Sequence, residues 1–75
     1  MATPRSCKGT YLSDKAVETI CTLGTGQQRV RVTCYDSTKD ITTYAYGPYV
    51  NVNDESRGEC YGTYAKATDW TVQVR

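Results

Sequence analysis

Arg29-Val30-Arg31-Val32-Thr33-Cys34-Tyr35 alternates strictly between polar and apolar positions. A period of two matches the pleat of a β-strand, in which successive side chains point to opposite faces. Val30, Val32 and Cys34 are therefore expected to face a core, with Arg29, Arg31 and Thr33 on the other side. The end of the chain repeats the pattern: Trp70, Val72 and Val74 point one way, and Asp69, Thr71, Gln73 and Arg75 the other.

Between these two strands, residues 41–46, 49–52 and 58–64 read as further strands bounded by turn chemistry. Asp36-Ser37-Thr38-Lys39-Asp40 reads as a polar hairpin loop, and residues 51–59 as a second loop. Gly47-Pro48 marks an edge, a bulge or a crossing between sheets, because proline lacks the ladder donor. Two signals compete in the N-terminal third. Leu12, Ala16, Ile20 and Leu23 fall near helical spacing, with Ser13 and Asp14 available as caps. Against this, Cys7-Lys8-Gly9-Thr10-Tyr11 matches Cys60-Tyr61-Gly62-Thr63-Tyr64, which favours a hairpin in both copies. The expectation is an all-β chain, a small disulfide-stapled β-sandwich or barrel of six to seven antiparallel strands. Residues 1–6 would form a flexible N-terminal arm and residues 7–75 a single β domain.

A chain of 75 residues buries little core. Two crosslinks among Cys7, Cys21, Cys34 and Cys60 would supply about 2–4 kcal/mol each. Three pairings exist. Cys7–Cys21 with Cys34–Cys60 is preferred, since the first closes the proposed hairpin and the second ties two central strands. Disulfides persist in oxidising compartments, so a secreted, extracellular protein is expected. Met1-Ala2-Thr3-Pro4 fits a start residue placed before a mature N-terminus. The cysteines lack the close spacing of a zinc site, and the chain has no histidine to complete one. Apolar runs of two or three residues predict no membrane span, and scattered charges with a net of +1 predict no nucleic-acid partner.

From about Gln28 onward the chain resembles small secreted β-proteins of actinobacteria. The likeness rests on Arg29, Val30, Val32, Cys34, then Tyr46-Gly47-Pro48-Tyr49-Val50, then Cys60. It implies fold and export, with no activity attached. The order and spacing of the four cysteines is also similar to tendamistat-type α-amylase inhibitors, which are secreted six-stranded sandwiches. Their Trp-Arg-Tyr triplet has no counterpart between Thr10 and Ile20, so that inhibitory mechanism is not implied for this chain.

Without histidine, a Ser-His or Cys-His nucleophile cannot be built. The carboxylate pairs Asp36/Asp40 and Asp54/Glu55/Glu59 read as solvated loop charges rather than an acid–base pair. Calcium at Asn51, Asn53, Asp54, Glu55 and Glu59 is conceivable from hard oxygen ligands, but matches no known loop pattern. No enzyme, metal or cofactor is expected. The aromatics carry more information. Seven tyrosines and one tryptophan, with no phenylalanine, suit rings that bury one face and keep a hydroxyl in water. Register decides their role: beside Val30 and Val32 they are core, and beside Arg29 and Arg31 they form a mixed Arg/Tyr surface. The candidate binding residues are Tyr44, Tyr46, Tyr49, Arg29 and Arg31, with the 53–58 loop as a second contact. The function expected is a non-catalytic binding protein, an inhibitor or modulator of an extracellular hydrolase. The alternatives are a polysaccharide- or cell-wall-binding module stacking sugars on tyrosines and Trp70, and a secreted toxin or effector.

Overall fold

The computed structural model describes residues 3–75, which form seven antiparallel strands in two sheets. The strands are β1 (Arg5–Tyr11), β2 (Ala16–Leu23), β3 (Gln27–Asp36), β4 (Ile41–Tyr46), β5 (Val50–Asn51), β6 (Glu55–Glu59) and β7 (Ala65–Val74). One sheet has the order β1-β2-β6. In the other, β3 is central, with β4 and β5 along one side and β7 along its opposite side.

The alternation of β3 is obeyed from Gln27 to Tyr35. Gln28, Val30, Val32 and Cys34 are buried, while Gln27, Arg29, Arg31 and Thr33 are partly exposed. In β2 the buried residues are Ala16, Val17, Thr19 and Cys21, and from Val17 onward they recur with period two. Of the residues that suggested helical spacing, Leu12 and Leu23 are exposed, Ile20 is half-buried and Ala16 is buried, so they do not share one buried face. The core between the sheets combines Val17, Val30, Val32, Cys34, Ala45, Cys60 and Ala65, flanked by Ala67 and Trp70. These are small side chains. Sheets filled this way lie close, and an ideal Cβ on Gly58 would stand 2.9 Å from Val32 Cγ2.

Both disulfides pair as preferred, Cys7–Cys21 and Cys34–Cys60. The first joins directly opposed residues of β1 and β2. The second ties β3 to the residue that follows β6, and so links one sheet to the other. Three buried polar side chains form a second link. The Thr19 hydroxyl donates to Gln28 Oε1 (2.9 Å), and Gln28 Nε2 donates to the Thr19 carbonyl (3.1 Å). The Ser56 hydroxyl accepts from the Val30 N–H (3.2 Å) and donates to the Pro48 carbonyl (2.7 Å). Buried polar atoms satisfied in this way cost little and fix which residues of the two sheets face each other.

Three expectations need correction. Residues 51–59 are not a loop, because Glu55–Glu59 is β6, and residues 60–64 are not a strand. The Cys-x-Gly-Thr-Tyr likeness is therefore not structural: the first copy is β1 and the second a turn. The flexible arm expected over residues 1–6 does not include its last residues. Arg5 and Ser6 already belong to β1 and Pro4 is buried, whereas residues 1–2 lie outside the described residues.

Candidate functional site

The register of the β3–β4 hairpin settles which face the tyrosines occupy. Arg31 stands opposite Tyr46, Val32 opposite Ala45 and Thr33 opposite Tyr44. Tyr44 and Tyr46 thus share the outer face with the arginines, each about half exposed, at 50% and 49%. Across the other edge of β3, Arg29 faces Gln73 and Arg31 faces Thr71 of β7. Gln27 is paired to Asn51 of β5 and exchanges backbone hydrogen bonds with Arg75. The outer face of this sheet therefore collects every candidate residue, and adds Arg75.

On that face the cations and rings interleave. Arg31 lies over the Tyr44 ring (4.5 Å to its centroid) and Arg29 over Tyr46 (4.4 Å) and Tyr49 (4.7 Å). Arg75 lies over Tyr49 at 3.9 Å. A guanidinium within about 6 Å of an aromatic centroid is attracted by the ring quadrupole, by roughly 0.5–1 kcal/mol where exposed. Arg29 Nε donates to Gln73 Oε1 (2.7 Å) and Arg75 Nε to Gln27 Oε1 (3.0 Å). Each of these two arginines is held by its Nε and its ring, leaving the terminal nitrogens for other acceptors. Arg31 lacks such an anchor, and its Nε is buried without a hydrogen-bond partner. Among the described residues the one ion pair is Arg57 with Glu18, on the other sheet. None of the three arginines of this face has a carboxylate partner there.

Arg75 was missed as a site residue, although the alternation of residues 69–75 already placed it on the polar side of its strand. What the sequence lacked was the β3–β7 pairing that brings it beside Tyr49. The 53–58 contact loop is not formed as expected, since most of it is β6, with Ser56 and Gly58 turned inward. Trp70 lies on the core side. It packs so close to β1 that an ideal Cβ on Gly9 would meet its ring at 2.3 Å. That ring is no open stacking platform.

A concavity of about 230 Å³ lies at one end of the β3–β4 hairpin, lined by Asp36, Lys39, Ile41, Thr43, Tyr61, Gly62 and Ala65. Its one carboxylate is already engaged. Asp36 Oδ1 accepts from the Thr38 hydroxyl (2.6 Å) and from the Thr38 and Lys39 N–H groups (2.9 and 3.3 Å). The Thr38 hydroxyl bond foremost, then these amides and the Lys39 charge, hold the carboxyl below its ordinary range against some desolvation. Beside it, Tyr35 donates to Asp40 Oδ1 (2.7 Å), which raises the phenol pKa because ionisation would set it against a carboxylate. Both groups serve the turn. Among the described residues no three acidic or cysteine side chains gather to hold a metal ion.

No family model matches the chain, and neither a curated protein nor a solved structure matches it.

Proposed function

We propose that this chain is a secreted, non-catalytic binding protein that docks a partner protein through the Arg/Tyr face of its four-stranded sheet. In the fullest form of this reading the partner is an extracellular hydrolase and docking inhibits or modulates it. One observation carries the reading: Arg31 and Arg29 are stacked on the exposed Tyr44 and Tyr46, and Arg75 on the half-buried Tyr49, without carboxylate partners. Tyrosine and arginine dominate binding energy at protein interfaces, because each offers a large rigid contact area together with directed donors. Holding these side chains in place before contact reduces the entropy lost on docking. Sugar stacking is less favoured, since guanidinium groups already lie over Tyr44, Tyr46 and Tyr49 and Trp70 packs inward. The two disulfides suit an oxidising, extracellular setting.

The test is a panel of secreted proteases and glycosidases titrated with the wild-type protein and with an Arg31→Ala/Tyr44→Ala variant. The expected outcome is binding or inhibition of at least one enzyme, weakened in the variant by about tenfold or more. A silent panel, or a variant as potent as the wild type, rejects the reading.

A further inference from the structure

The chemistry of this face also specifies what the partner must offer. Resting on the docking reading above, we propose that the face takes an acidic, extended segment of the partner protein, with carboxylates two residues apart set against Arg29 and Arg31. Arg75 extends the row. Three observations support this occupant. First, the row is cationic and unpaired: the nearest acidic residue in the rungs is Asp69, opposite Thr33, and its Oδ1 already accepts from the Trp70 N–H. Second, the cations are presented as forks. With Nε bonded to Gln73 or Gln27, Arg29 and Arg75 keep terminal nitrogens that bond no acceptor among the described residues, and a carboxylate is the planar acceptor that fits two N–H groups at once. Third, Arg31 holds a buried Nε–H without an acceptor. A side-on carboxylate, bonding Nε and one terminal nitrogen after a small rotation of the side chain, satisfies it.

The spacing follows from the strand. Arg29 and Arg31 are separated by one pleat, about 6.6 Å. A partner segment in extended conformation repeats its side chains on one face at the same interval, so acidic residues at alternate positions meet successive arginines. A helical segment places its neighbours three or four positions apart instead. The tyrosines between the cations then line the sides of each carboxylate and exclude water from it.

The probe is a fluorescein-labelled octapeptide alternating Thr and Glu, compared by fluorescence anisotropy with its Thr/Gln counterpart and with a heparin oligosaccharide. The alternating Glu peptide is expected to bind about tenfold or more tightly than the Gln peptide, and to weaken as salt shortens the screening length. Arg29→Gln and Arg31→Gln should each lower its affinity by about tenfold. Arg31→Lys should fall between them and the wild type, because charge remains and the fork is lost. Lys8→Gln, on the other sheet, should leave affinity unchanged. Near-ultraviolet circular dichroism identical to the wild type establishes that each variant is folded. Equal binding of the Glu and Gln peptides, equal weakening by Lys8→Gln, or binding of heparin alone overturns the proposal. If the enzyme panel yields a partner lost on Arg31→Ala/Tyr44→Ala while the Glu peptide shows no preference, the acidic segment fails and the docking reading stands. Glu-peptide binding with a silent panel separates them the other way.

Discussion

Gln28 is buried more completely than any aromatic ring in the chain. It occupies a core position of β3, where the pleat turns it inward with Val30, and its amide bonds both the Thr19 hydroxyl and the Thr19 carbonyl. The adjacent Ser56 serves the Val30 N–H and the Pro48 carbonyl, which fixes Gly47-Pro48 against β6. Deleting one partner of a buried polar pair leaves the other desolvated and unbonded, at a cost of about 1–3 kcal/mol. Gln28→Leu is therefore expected to destabilise the fold by about that amount in urea unfolding. Adding Thr19→Val should recover part of the loss, because two apolar groups then meet where two polar ones did. A Gln28→Leu protein as stable as the wild type would contradict this account. None of these partners was visible beforehand. Glutamine before an alternating run reads as a polar flank, and its partner Thr19 is brought to it only when the preceding strand packs from the other sheet.

At the scale of elements, the β3–β4 hairpin was legible from local chemistry alone. Its strand limits 41–46 match Ile41–Tyr46, and its turn is built by Asp36 accepting from Thr38 and Lys39. The folded-state pKa of Asp36 lies below its unfolded value, so its contribution is present above the unfolded value and is lost as pH falls through the folded one. The Thr38 and Lys39 amide resonances should thus stay native-like to a pH below the ordinary carboxylate range, then shift together. Titration at or above the value of an unfolded peptide would refute the turn geometry. β6 was not legible. Glu55-Ser56-Arg57-Gly58-Glu59 contains no apolar residue, because its inward positions lie so near Val30 and Val32 that only small side chains fit. A strand without hydrophobic alternation carries no periodic signal, and its pairing with β2 spans about half the chain.

As a whole the molecule is long and thin, 43 × 20 × 16 Å, with the two sheets held together by small residues, a polar link and one disulfide. The two crosslinks have unequal tasks. Cys7–Cys21 staples neighbouring strands of one sheet across a separation of 14 residues, whereas Cys34–Cys60 spans 26 and bridges the sheets. Chain entropy alone gives about 3 kcal/mol for the shorter loop and about 3.5 for the longer. Replacing Cys34 and Cys60 by Ala also empties two buried positions, where Cys7 and Cys21 offer one, so the paired substitution should cost about 3–5 kcal/mol, against about 2–3 for Cys7 and Cys21. Urea unfolding of the two variants checks the order. Equal midpoints, or the reverse ranking, would show that the sheets do not depend on the bridge between them.

By itself the sequence determined the all-β class, the inward and outward sides of β3 and β7 and the β3–β4 hairpin, and it favoured one of three cysteine pairings, which the structure then selected. Each of these rests on nearest-neighbour alternation, turn residues or loop closure, which act locally and leave a periodic trace. Only the tertiary structure decided that Tyr44 and Tyr46 stand beside Arg29 and Arg31, that Arg75 joins them, and that Glu55–Glu59 is a strand. A one-residue slip in the β3–β4 turn would have sent those tyrosines to the other face. Register is fixed by the side of β4 that buries Ala45 against the second sheet, and that is a property of two sheets meeting rather than of any one segment.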